Sequence, residues 1–115
     1  FIMTIQYKNA GINLSGTGTV SVLTSPTGAR CLIKQIQVDN SSASPVNLSV
    51  QVTDTSATAT FAISRKAVAA NTVENIIDKT LILEEGDILK MTAGTGGEIQ
   101  GIISYAQIDR SQENG

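Results

Sequence analysis

Histidine is absent from the 115 residues. That removes Ser-His-Asp and Cys-His nucleophiles, imidazole proton shuttles and His-ligated zinc. Of the groups that remain, Glu84, Glu85 and Asp87 form the densest carboxylate cluster and could hold a hard cation such as calcium. Their spacing fits no EF-hand loop, so a solvated turn is the expected role. Gly94-Thr95-Gly96-Gly97 resembles a phosphate-cradling loop only in its glycine content, because a strand pattern follows where a helix N-terminus would be needed. No Ser-x-x-Lys spacing supports a Ser-Lys nucleophile. Cys31 lies in the apolar stretch Ala29–Ile33 and reads as a small buried hydrophobe. As the one cysteine it allows no internal disulfide, which fits folding in a reducing cytosol. The sequons at Asn13, Asn40 and Asn47 are what a Ser- and Asn-rich chain yields by chance. No catalytic residue, cofactor site or metal site is expected, and enzyme is the poorest reading.

The elements that would have to position any site are strands. Leu81–Ile108 reads as three of them joined by two tight turns. Leu81–Leu83 closes at Glu84-Glu85-Gly86-Asp87, where Gly86 can take a positive φ. Ile88–Ala93 alternates, with Leu89, Met91 and Ala93 on one face. Gly94–Gly97 then reverses the chain into Ile99–Ile108. The pattern predicts an antiparallel meander.

Upstream, Val20–Leu23 is a short strand ended by a turn over Thr24–Gly28. Arg30–Val38 is a strand whose alternation slips, since Leu32, Ile36 and Val38 share one parity while Cys31 and Ile33 take the other. Either a bulge sits near Lys34 or both faces are covered. Asp39–Pro45 is a turn cluster. Val46–Thr53 alternates cleanly, with Val46, Leu48, Val50 and Val52 inward. Ala59–Ser64 and Val73–Ile77 are further strands. Between them, Arg65–Asn71 has some helical propensity but is too short to stand alone, and an extended connection is expected. Residues 1–19, rich in Gly, Thr and Asn, are read as an N-terminal arm that is ordered on a neighbouring subunit, drapes over the domain, or pairs through Ile2–Tyr7 with an edge strand of its own domain; 20–108 are read as the β-sandwich domain and 109–115 as a tail. Short strands at this spacing, with turns between them, point to an all-β antiparallel sandwich, jelly-roll-like, carrying an extended N-terminal arm.

Composition agrees with that class. Aromatics are 3% and Trp is absent, so the core must be built from Val, Ile, Leu and Ala. Hydroxyl residues outnumber charged ones, 24 Ser plus Thr against 18, as half-buried strands and turns prefer. A net charge of −2 offers no electrostatic footprint for nucleic acid. The charge-free stretch Asn9–Ala29 is too polar for a membrane span, and Phe1–Tyr7 lacks the pattern of a signal peptide. Neither nucleic acid nor membrane is an expected partner.

Surface binding has more behind it. Ile99–Ile108 carries apolar residues at both parities: Ile99, Ile103 and Tyr105 on one face, Ile102, Ala106 and Ile108 on the other. A solvent-facing antiparallel strand would alternate. Either a second sheet or the arm covers the outer face, or a partner subunit does. Ile5, Tyr7, Ile12 and Leu14 are spaced as anchors along the arm. With Ile102 and Ile108 they form the expected partner interface.

Six short series carry a resemblance. They are Tyr7-Lys8-Asn9-Ala10-Gly11, Leu23-Thr24-Ser25-Pro26-Thr27-Gly28, Ile36-x-Val38-x-Asn40, Val46-Asn47-Leu48-Ser49-Val50, Leu83-Glu84-Glu85-Gly86-Asp87-x-Leu89 and Ser104-Tyr105. Together, from Met3 to Ile108, they resemble a small virion structural protein of tailed bacteriophages, notably those of cyanophage-like and marine phages. Ser25-Pro26-Thr27-Gly28 departs from the family's Pro-Ala-Gly but leaves the turn intact. The resemblance implies a non-enzymatic virion component assembled in the bacterial host cytoplasm. It would be a capsid decoration (cement) protein, or a neck, tail, baseplate or fibre component that includes a host-binding module. It would act as a homo-oligomer, a trimer or a ring, and its partners would be other virion proteins, the major capsid protein or tail and neck proteins.

Overall fold

The computed structural model describes residues 3–77 and 79–110. Among them are nine strands and no helix: β1 (Met3–Leu14), β2 (Val20–Thr24), β3 (Ala29–Asn40), β4 (Val46–Asp54), β5 (Ala59–Val68), β6 (Thr72–Asn75), β7 (Leu81–Leu83), β8 (Ile88–Ala93) and β9 (Ile99–Arg110). One sheet has the order β1-β9-β3-β6, with the short β7 also paired to β3; the other has the order β2-β8-β4-β5. Every pairing is antiparallel. The pairs β4–β5, β3–β6, β2–β8 and β1–β9 are those of one long hairpin folded at Thr55–Thr58. Successive rungs of that hairpin fall alternately in the two sheets, which is the jelly-roll arrangement.

Alternation fixes what lies between the sheets. Ile33, Ile36 and Val38 of β3, Ile99 and Ile103 of β9, Leu48 and Val50 of β4, and Leu89 and Met91 of β8 are all fully buried in one cluster. Burying each such side chain stabilises the fold by about 1.5–3 kcal/mol. The slip of parity in β3 is a bulge: Ile33 pairs with Tyr105 and Gln35 with Ser104, leaving Lys34 as the extra residue. Gly86 has φ 81° at the turn where a positive value was expected. Arg65–Val68 continues β5 as extended chain. Val50 and Leu89 lie on neighbouring strands, β4 and β8. Replacing either by alanine is expected to cost about 2–4 kcal/mol through the cavity left behind. Urea melts check this, and a change below about 0.5 kcal/mol would place the residue outside the core.

Two expectations are corrected. The meander does not form, because β7 and β9 belong to one sheet and β8 to the other. Both turns cross between the sheets instead. The first is held by the Ser25 N–H donating to the Asp87 carbonyl and the Gly86 N–H donating to the Ser25 carbonyl, both at 2.9 Å. The second is held by the Gly97 N–H donating to the Leu14 carbonyl at 2.9 Å. The second correction concerns the arm. Residues 3–14 pair with β9 in unbroken register, from Met3 opposite Arg110 to Leu14 opposite Ile99, so they are a strand of the domain itself. Inward-parity residues of β1 explain it. Ala10, Ile12 and Leu14 pack on the core where the second sheet lies over them, whereas Thr4, Gln6 and Lys8 are exposed. Phe1-Ile2 and the tail residues 111–115 lie outside the described residues.

Candidate protein–protein interface

The outer face of the β1-β9-β3 sheet is built by register. Tyr7 stands opposite Ala106, Ala106 opposite Leu32, and Leu32 opposite Ile82, which makes an apolar row across four strands. Beside it, Ile5 stands opposite Ile108, which faces Arg30. Further along, Ile102 lies between Gly11 and Gln37. Tyr7 is 85% exposed, Ile5 and Ile82 56%, and Ile102 40%. Ala106 is buried beneath this row although it points away from the core. The apolar surface turns the corner of the sandwich at Ile82. There it meets Phe61, Ile63 and Leu81 in a hollow of about 410 Å³ between the β5 and β7 edges. Contiguous exposed apolar side chains of this kind mark association surfaces.

Of the residues expected at an interface, Ile5, Tyr7, Ile102 and Ile108 therefore share one outer face. Ile12 and Leu14 do not, being 4% and 0% exposed in the domain's own core. The arm was one of two explanations for the apolar outer parity of β9. It lies edge-on beside β9 and leaves that face open. Ile82, Phe61 and Ile63 were missed. The signal for them was available: Ile82 is the outward residue of an apolar triplet that a short, one-sided strand would not need.

Other candidate chemistry resolves into structural roles. Asp87 is buried, and its carboxylate accepts from the Thr55 N–H at 3.2 Å and the Glu84 N–H at 3.0 Å. Glu85 Oε1 accepts from the Gly28 N–H at 2.7 Å. The carboxylate turn is thus a clamp on neighbouring loops, not the solvated turn expected. No cluster of three or more potential metal ligands occurs among the described residues. Asp54 accepts from the Ser56 hydroxyl and the Ser56 and Ala57 N–H groups, which hold its carboxyl below its ordinary value. Burial pushes the Cys31 thiol up, so the sulfur stays protonated and enclosed. A shallow groove of about 540 Å³ on the outer face of the second sheet is lined by Asn47, Ser49, Arg65 and Thr92 and has no aromatic platform for a sugar.

No family model matches the chain, and no curated protein matches it. Solved structures do. The fold is similar, over 97% of this chain and 93% of the other, to a protein of Bacillus endospore appendages, described as a novel family of disulfide-linked pili, at 11% identity and a TM-score of 0.55. It is similar over 92% of its length to a chain of the T13 viral particle of infectious bursal disease virus, at 9% identity and a TM-score of 0.56. The Gx strain of that virus gives 10% identity and a TM-score of 0.54 over the whole of this chain. This chain spans only 31% and 35% of those two viral chains. At such identities the likeness is one of fold: an antiparallel jelly-roll sandwich, similar to an appendage protein along nearly all of both chains and to about a third of a viral particle chain.

Proposed function

We propose that this chain is a non-enzymatic structural subunit of a tailed-phage particle, a capsid decoration protein that stabilises the shell through protein–protein contacts. The observation that carries the reading is the set of exposed apolar side chains Tyr7, Ile5, Ile82 and Ile102, gathered on one outer face around the buried Ala106 and the half-buried Leu32 and Ile108. A stiff strand surface of this kind suits docking onto other subunits and offers nothing for turning over a substrate. The jelly-roll likeness to a pilus-type appendage protein and to part of a viral particle chain supports the same class. Unlike a disulfide-linked assembly, contacts made by this chain would be non-covalent, because its one cysteine is buried. Repetition in a symmetric particle then supplies affinity that one such face lacks.

Copy number in purified particles tests the proposal. Hundreds per virion are expected of a decoration protein. Multiples of six or twelve would move the chain to a neck or tail, including a host-binding tip, and absence from particles would overturn the reading.

A further inference from the structure

The two sheets have four edges, and three of them are blunted. The β2 edge carries a bulge at Val22, where pairing passes from Ser21 opposite Lys90 to Leu23 opposite Leu89. The β5 edge carries a bulge at Ile63, together with Arg65 and Lys66. The far edge of the first sheet is split between β6 and β7, which are four and three residues long. These are the devices by which proteins discourage strand addition. The edge formed by β1 is neither bulged nor short. It runs twelve residues with no register shift, contains no proline, and carries one charge, Lys8. Residues 4–9 are exposed at both parities, so this half of the edge projects beyond the cover of the second sheet.

We propose that residues 3–9 of β1 pair antiparallel with the same residues of a second copy, about a two-fold axis at Gln6. An open strand edge can satisfy its backbone N–H and C=O groups only with another strand, and the side chains select which one. Centred on Gln6, Ile5 faces Tyr7 of the second copy and Tyr7 faces its Ile5. That is two aromatic–β-branched pairs on the outer face, a favourable cross-strand combination. The two Gln6 amides meet at the axis and can donate to each other. Lys8 faces Thr4, so no like charges oppose. The same register joins the outer rows of both copies: Ile82, Leu32, Ala106 and Tyr7 of one continue into Ile5 and Ile108 of the other. The exposed Ile5 and Tyr7 are thereby covered by each other. The contact is isologous and closes on two copies. It deepens the structural-subunit reading and rests on it for its setting, although its geometry comes from the edge alone.

The test uses the 115-residue chain in sedimentation equilibrium at about 0.1 mM, a range suited to an interface at the small end of the size scale. A dimer is expected. Gln6→Cys should cross-link to a covalent dimer under mild oxidation, because directly opposite strand residues approach disulfide reach, while Asn13→Cys should not. Gln6→Lys should be monomeric with an unchanged melting temperature, since the substituted position is exposed. Gln6→Glu should be monomeric at neutral pH and dimerise again near pH 4, a recovery that a folding defect would not produce. A monomeric wild type, a dimeric Gln6→Lys variant, or equal cross-linking at positions 6 and 13 would each overturn the proposal. Copy number in particles is measured separately, so the edge pairing can fail while the virion reading stands, and the reverse.

Discussion

Gly101→Ala is expected to lower stability by about 3–5 kcal/mol, more than most single substitutions. Gly101 is the third residue of β9, a strand flanked on both sides, and stands opposite Val38 of β3 and Ile12 of β1. A Cβ built there collides with the carbonyl oxygen of Gln37 and lies 3.0 Å from the Val38 Cα. Both obstacles are backbone, so no side-chain rotation relieves them. The β9–β3 ladder itself would have to open, at the centre of the sheet that carries the outer apolar face. For a domain of this size the loss corresponds to a fall in melting temperature of roughly 15 °C. Gly11→Ala is the matched control. Gly11 lies on the adjacent strand, opposite Ile102, and an added Cβ meets nothing within 4 Å. Its melting temperature should stay within about 3 °C of wild type, or rise, because alanine restricts the unfolded chain. Equal effects at the two positions would remove close backbone approach as the reason for glycine at 101.

An isolated glycine inside a strand pattern signals such an approach, so Gly101 was readable in principle. More broadly, what a strand does alone was legible. The alternation of Val46, Leu48 and Val50 gave an inward face that is buried, and the slipped parity of Leu32–Ile36 announced the bulge at Lys34. What two strands do together was not. Gly94–Gly97 has the turn residues of a hairpin, and an arch between sheets needs the same residues. Choosing between them depends on Leu14 and Ser15, some eighty residues upstream, against which this loop docks. The N-terminal segment misled for a related reason. Its Gly and Asn content argues against a strand forming alone, whereas β9 supplies a partner along all twelve residues. The interface was half legible: β9's apolar residues at both parities flagged the face, but Ile12 and Leu14 share β1 with Ile5 and Tyr7 and are buried by a sheet the sequence does not locate.

Asn40, by contrast, has a role that appears only in three dimensions, and Asn40→Leu is expected to cost about 3–5 kcal/mol, summing a buried carbonyl deprived of its donor with the loss of further hydrogen bonds. The sequence places it in a turn cluster as a sequon asparagine. In the fold it ends β3 with no exposed surface. Its Nδ2 donates to the carbonyls of Ser44 and Val68 at 3.0 Å and of Ala69 at 3.3 Å, and its Oδ1 accepts from the Ser42 N–H at 2.9 Å. One side chain thus ties the β3–β4 loop to the end of β5, where the two sheets meet. Leucine fills the volume but takes the Asn40 donor away from the buried Val68 carbonyl. Asn40→Asp separates hydrogen bonding from shape. It keeps the acceptor for Ser42 and turns an oxygen toward three carbonyls, so the carboxylate is disfavoured in the folded state and its pKa is raised above the unfolded value. For an acid shifted that way, stability is lost as pH rises through the unfolded value near 4 and recovered as pH falls and the proton supplies a donor. The variant should therefore be nearly as unstable as Asn40→Leu at pH 7 and regain part of the loss at pH 4, relative to wild type in the same buffers. A flat difference between the two pH values would show that the amide donors of Asn40 are not what holds the loop.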